Sequence, residues 1–225
     1  MHTVAHDLHE DTDHPVSVMV RPAAEPRDRL SIGFRAILAI PHLIIAGGPI
    51  ALAVGWSWQT EPGATHEWGA TGGVLGAVAA VAAMISWFAI LFTGKHPDGL
   101  WNLAAFYLRW RVRATAYMAL LRDEYPPFGD APYPASLVIG APPAPRDKLS
   151  VALRCFLVFP HLIALFFLSI AWCVTTIIAW FAILFTGRYP ESLEQFGLGV
   201  FRWNIRVEAY ALLLHDEYPP FRLNA

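Results

Sequence analysis

Two histidines carry the most chemical potential in this sequence: His42 in "IPHLI" and His161 in "FPHLI" each follow a proline inside a long uncharged run. Each lies about twelve residues into its hydrophobic region, ~18 Å of helical rise, and an ionisable group that deep in a bilayer is a functional hypothesis by default. Two imidazoles brought opposite each other could hold a haem or metal ion or relay a proton. The structural alternative is a neutral ring hydrogen-bonded to a carbonyl freed by the proline kink.

A second set is cationic. Arg109 and Arg113 are four residues apart, as are Arg202 and Arg206, so each pair shares a helix face beside Trp110 or Trp203. Paired guanidinium groups at headgroup depth could bind phosphate bidentately, or could pair with Asp123-Glu124 and Asp216-Glu217. Those acids open "DEYPPF" (123–128 and 216–221), where two prolines stop a helix. Acids at a helix C-terminus oppose the macrodipole and call for specific partners, for which the repeat's own arginines are the first candidates. Docking of this segment onto the strand or the other copy is favoured over catalysis.

The elements that position these groups come in two copies. "PRDRLS" (26–31) and "PRDKLS" (145–150) are offset by 119, whereas "WFAILFTG" (87–94 and 180–187) and everything to "DEYPPF" are offset by 93. The first copy therefore holds 26 more residues (119 − 93 = 26). Each copy opens with an alternating run suited to a strand, "HPVSVMV" or "YPASLVI". A Pro-rich link, a hydrophobic region closed by Gly94 or Gly187 as C-cap, and a half-charged helix near 99–121 or 192–214 follow, the last suited to the membrane interface or, as the alternative, to packing on the cytoplasmic strands as an ordinary amphipathic helix.

Hydrophobic residues make up 56% of the chain and charged residues 15%, against roughly 45–50% and about 25% in soluble domains. Residues 36–60 and 155–187 contain no Asp, Glu, Lys or Arg, and about 20 such residues span a membrane. All 16 Lys and Arg lie in 21–35, 95–154 and 188–222, and the link 59–71 carries only Glu61 and Glu67. The positive-inside tendency puts that link outside and both termini in the cytoplasm.

These features predict an all-α integral membrane protein of the cell membrane with four transmembrane helices. They form two tandem hairpin repeats, with cytoplasmic interfacial amphipathic helices and a small two-stranded β element. The expected divisions are a disordered tail (1–13), repeat 1 (14–128) and repeat 2 (129–225), related by a pseudo-twofold along the membrane normal. In repeat 2, residues 149–187 fit either a hairpin turning near Ser169 or one long tilted span. The hairpin is preferred because it keeps both basic helices in one compartment, although "LFFLSIAWCV" offers no turn residue.

The ordered pattern "WFAILFTG[KR]xP", "RWxxR" with Tyr four residues on, and "LLxDEYPPF", present twice, resembles a bacterial membrane-protein family, domain of unknown function 4389. The resemblance covers nearly the whole chain and implies a membrane protein without an established activity, so it supplies no catalytic residue.

Cys155 and Cys173 form no recognisable motif, and His2, His6, His9 and His14 among acids suit a polar tail better than a metal site. No phosphate-binding loop, nucleophile triad, zinc knuckle or nucleic-acid patch is present, so no enzyme activity, metal or nucleic-acid partner is expected. The leading expectation is a lipid-interacting structural or accessory subunit gripping anionic headgroups through Arg109, Trp110, Arg113, Arg202, Trp203 and Arg206, with other membrane subunits as possible partners. The alternative is a transporter or channel component using His42 and His161. Haem held between them is the remotest reading.

Overall fold

A computed structural model describes residues 14–48, 55–61, 64–69, 73–140 and 145–223, with backbone alone for 55–61 and 64–69. The expected tail 1–13 and parts of the link 59–71 lie outside the described residues.

Repeat 1 opens with strand β1 (Val16–Val20). Asp28 then caps helix α1 (Arg29–Leu38), its carboxylate accepting from the N–H groups of Leu30 at 3.0 Å and Ser31 at 3.3 Å. Just ahead of Pro41 the chain bends by 46° into α2 (Ile40–Ala46). The 26-residue insertion contains an antiparallel hairpin, β2 (Gly55–Glu61) with β3 (Ala64–Gly69). Helix α3 (Gly73–Thr93) ends at Gly94, where φ is +73°, and Pro97 caps α4 (Asp98–Met118). Repeat 2 repeats this grammar with β4 (Ala135–Ile139), α5 (Lys148–Thr186, capped by Asp147 and Gly187) and α6 (Glu191–Ala211).

The expected hairpin in repeat 2 does not form. α5 is one continuous helix of 39 residues, because nothing between Leu165 and Val174 can replace the backbone bonds a turn would break. Ser169, the expected turn, points into the buried stripe of α5. Pro160 sits inside α5 without ending it. A proline there weakens the bonds of the preceding turn, and the Tyr218 hydroxyl donates to the Leu157 carbonyl at 3.2 Å. The four-span expectation thus gives way to a coarser result. Two helices, α3 and α5, are long and apolar enough to cross a membrane, or three if α1 and α2 form one broken span.

The repeats are joined as expected for a pseudo-twofold. β1 pairs antiparallel with β4, and Val18 faces Leu137, its own counterpart 119 residues on. The axis therefore passes through the centre of this sheet. α4 and α6 pack beneath the sheet, α4 against β4 and α6 against β1, and α3 and α5 pack in turn on α4 and α6. The result is three layers: sheet, charged helices, apolar helices.

Crossed contacts lock the repeats. Trp87 in α3 donates to the Val151 carbonyl in α5 at 2.9 Å, and Trp180 in α5 donates to Ile32 in α1 at 2.9 Å. Likewise Arg27 N–H reaches the Gly187 carbonyl (2.9 Å) and Arg146 N–H reaches Gly94 (3.3 Å).

The core lies between the sheet and the helices, centred on Val16, Val18, Leu108, Val112, Trp172, Phe201 and Ile205. Each apolar helix buries only one narrow stripe. In α5 it is Val151, Arg154, Val158, His161, Leu165, Ser169 and Trp172, spaced three or four apart. The rest of its surface, including Phe156 (78% exposed), Phe167 and Phe185 (76%), is open and apolar.

Candidate functional site

The geometry places His42 and His161 in two separate aromatic boxes. Trp110 donates its indole N–H to His42 Nδ1 at 3.2 Å, and Trp203 does the same to His161 Nδ1 at 3.2 Å. Accepting at Nδ1 fixes the neutral ring with its proton on Nε2. Phe128 stacks on His42 (4.8 Å between centroids) and Phe221 on His161 (3.9 Å), while Tyr125 and Tyr218 tilt against them. These aromatics come from "DEYPPF", so that segment docks onto the Pro-His turn of its own repeat rather than, as expected, onto the strand or the other copy. Both imidazoles are fully buried. Each is enclosed by rings of its own repeat, so the two do not share one ligand position. The Leu157 carbonyl, one turn before Pro160 in α5, is met by Tyr218, not by His161 as expected.

Two arginine clusters support the boxes. Arg35 Nη1 donates to the carbonyls of Arg122 (2.9 Å) and Tyr117 (3.3 Å), and its Nη2 meets Asp123 Oδ1 at 3.0 Å. Arg154 repeats this with His215 (3.0 Å), Tyr210 (3.1 Å) and Asp216 (2.8 Å). Each guanidinium also lies over a tyrosine ring, Tyr117 at 4.5 Å and Tyr210 at 4.2 Å. The linker arginines complete the sets: Arg27 donates to the Leu120 carbonyl and approaches Asp123 at 3.7 Å, and Arg146 bonds Leu213 at 3.0 Å and Asp216 at 2.7 Å.

Arginine is required here because α4 and α6 end in carbonyls that need donors. Both close with a residue in the left-handed region that is not glycine, Leu120 (φ 64°) and Leu213 (φ 63°). The aspartates of "DEYPPF", Asp123 and Asp216, thus do find partners within their own repeat, but these are the linker and apolar-helix arginines, not Arg109 or Arg202, while Glu124 pairs with Arg122 just past the end of α4. Burial alone would raise the Asp216 carboxyl; the bonds and charges of Arg146 and Arg154 outweigh it and hold Asp216 below the usual range.

The expected headgroup residues are largely taken up inside the fold. Arg113 is buried and bonds Gly129 and Asp130 just past "DEYPPF". Arg206 is buried and donates to the Arg222 carbonyl at 3.2 Å. Trp203 is buried in its box, and Trp110 is half-buried in the other. Arg202 leans on the Val18 carbonyl at 3.4 Å, on the sheet side of α6, and Arg109 is half-buried. Burial withdraws Arg113, Trp203 and Arg206 from any headgroup surface.

A third polar group breaks the symmetry. Arg111 Nε meets Glu208 at 2.7 Å, Arg111 Nη1 donates to the Ala46 carbonyl at 2.9 Å, and Tyr107 donates to Glu208 at 2.7 Å, tying α4 to α6. Offset by 93, these positions hold Asn204, Thr115 and Val200, so only a comparison of the copies flags them. Burial, then the Glu208 charge, pushes the Tyr107 hydroxyl well up and keeps it a donor. His215, buried against His14 with ring centroids 5.0 Å apart, is pushed down to about 3, first by burial and then by His14 and Arg154. Among the described residues no cluster of three or more His, Cys, Asp or Glu is arranged to hold a metal ion.

Fold and site together define a duplicated, mostly helical protein with a one-sided apolar layer and two candidate membrane spans. The chain belongs to the family described as Domain of unknown function (DUF4389), whose profile matches residues 68–129 and 148–222, one segment in each repeat. No curated protein and no solved structure matches it.

Proposed function

We propose that this protein is a lipid-interacting structural or accessory subunit of a membrane complex, with its charged layer at the cytoplasmic surface. The observation that carries this reading is the apolar face of α1, α2, α3 and α5. Leu30, Phe34, Ile37, Phe88, Phe92, Phe156 and Phe181 are all exposed along it. A continuous apolar face of this extent marks an interaction surface, and its length and composition suit lipid.

Headgroup contact is assigned to four cations other than those singled out by the sequence spacing. Arg29 lies over Gly187 beside Arg188, and Lys148 lies over Gly94 beside Lys95. All four are exposed. They occupy equivalent corners of the apolar layer, next to Phe185 and Phe92 (80% exposed). Lys148 Nζ donates to the Phe92 carbonyl at 3.3 Å, and Arg188 comes within 3.9 Å of Glu25, an exposed pair of little energetic weight. Cations at the edge of an apolar surface favour anionic lipid by about 1 kcal/mol each.

Flotation with vesicles of phosphatidylcholine alone, or with phosphatidylglycerol added, tests the reading. Charge reversal at Arg29, Lys95, Lys148 and Arg188 is expected to abolish the preference for the anionic vesicles and leave binding to neutral ones. An unchanged preference, or its loss in Arg109→Glu/Arg202→Glu instead, overturns the corner assignment. Failure of the unaltered protein to float with either vesicle overturns the lipid reading itself.

A further inference from the structure

We infer that the chain lies flat in one leaflet, with α5 running along the membrane plane and the pseudo-twofold along its normal. This deepens the lipid-interacting reading and rests on it. Three observations converge.

The first is length. Exposed apolar side chains run along α5 from Leu149 to Phe185, about 54 Å at 1.5 Å per residue, against a ~30 Å hydrocarbon core. Fitting that run across the core needs a tilt of about 56°, beyond the roughly 0–40° that spanning helices show. Laid flat, the whole run meets lipid.

The second is the sheet. α5 packs antiparallel along α6, with Arg154 at Tyr210, His161 at Trp203 and Trp172 at Phe201. The two helices therefore share one orientation. β1 crosses α6 at its middle, where Arg202 meets the Val18 carbonyl. If α5 and α6 stood upright, the two-stranded sheet β1–β4 would sit at bilayer mid-depth. An open sheet edge does not persist in hydrocarbon, because its unpaired N–H and C=O groups find no partner. With the helices flat, the sheet faces water on the far side of α4 and α6.

The third is symmetry of charge. Gly94 meets the start of α5 through Arg146, and Gly187, at the end of α5, meets Arg27. Each end of α5 thus carries an equivalent arginine–aspartate cluster and an equivalent pair of exposed cations. An upright α5 would put identical basic clusters in opposite compartments. The flat arrangement puts both on the cytoplasmic side, as the positive-inside tendency requires, and it needs no turn at Ser169. The β1–β4 sheet, the α4–α6 layer and the apolar layer then stack along the membrane normal.

The test uses nitroxide labels at Phe156, Phe167 and Ile178 in the full chain, with Cys155 and Cys173 replaced by Ser. These three exposed positions lie on one face of α5, spread over about 33 Å. In vesicles, power saturation with oxygen and a water-soluble nickel chelate reads the depth of each label. The expected result is one depth for all three, about 5–10 Å below the headgroup boundary. A depth that peaks at Phe167 and falls toward both ends overturns the flat arrangement while leaving the lipid reading intact. Equal and high exposure to the chelate at all three overturns both.

Discussion

Arg154 and Asp216 stand 2.8 Å apart across 62 residues of chain, with Arg146 on the second carboxylate oxygen of Asp216 at 2.7 Å. One carboxylate thus holds the start of α5, the linker before it and the end of α6. Removing it leaves two buried guanidinium groups uncompensated, a change that costs about 3–5 kcal/mol in buried pairs. Asp216→Asn is expected to lower stability by about 3 kcal/mol in detergent, measured by denaturant or thermal unfolding. Asp123→Asn should cost less, because Asp123 is more exposed and Arg27 approaches it only to 3.7 Å.

His215 sets the acid side of the stability profile. Its folded pKa of about 3 lies below the ordinary 6.5. Between those values the unfolded chain binds a proton that the folded chain does not. Its contribution is therefore complete above pH 6.5 and is lost as pH falls toward 3, with a slope of up to about 1.4 kcal/mol per pH unit. His96, also held down first by burial, acts in the same direction. Thermal melts from pH 7 to 4.5 should fall steeply, and His215→Gln should flatten most of that fall.

Two helical glycines should respond in opposite ways to alanine. A Cβ on Gly197 would lie 2.7 Å from Trp172 Nε1 and 3.3 Å from Cδ1. Trp172 is buried and cannot withdraw. The overpacking, about 1–3 kcal/mol, should exceed the gain of about 1 kcal/mol in helix propensity. Gly99, in the first turn of α4, has nothing within 4 Å of such a Cβ, so Gly99→Ala should stabilise by up to about 1 kcal/mol. Unfolding midpoints of the two variants decide it.

Separate boxes mean separate energetics for the histidines. His42→Ala and His161→Ala should each destabilise the protein by roughly 2–4 kcal/mol, since each empties a packed aromatic site. The double variant should show their sum within about 0.5 kcal/mol, as independent sites do. A large departure from the sum, read by the same melts, would mean that the two rings act on one ligand after all.

Much of this architecture was legible in the sequence. The 119 and 93 offsets marked the repeats, alternation marked β1 and β4, and Gly94 and Gly187 marked helix ends where the structure has them, whereas the caps at Asp28 and Asp147 went unread. The continuous α5 was legible too, in the absence of Gly, Pro or Asn from "LFFLSIAWCV". The compartment argument outweighed that local signal because it assumed upright helices. The partners of "DEYPPF" were less accessible. Arg35 and Arg154 look like strays at the edge of hydrophobic runs, and only folding brings them under helix ends more than 50 residues away. Spacing alone ranked Arg113 and Arg206 as surface groups because a shared helix face does not say which way that face turns.

The crossed contacts of Trp87 with Val151 and Trp180 with Ile32 carry one more consequence. A single repeat offers an indole N–H with no carbonyl to meet and, elsewhere, a carbonyl with no indole. Two half-length chains could satisfy both by exchanging the same contacts. Within the present chain the linker between "DEYPPF" and β4 keeps the two halves in that exchange, and it also lets them differ at positions such as Arg111 and Glu208.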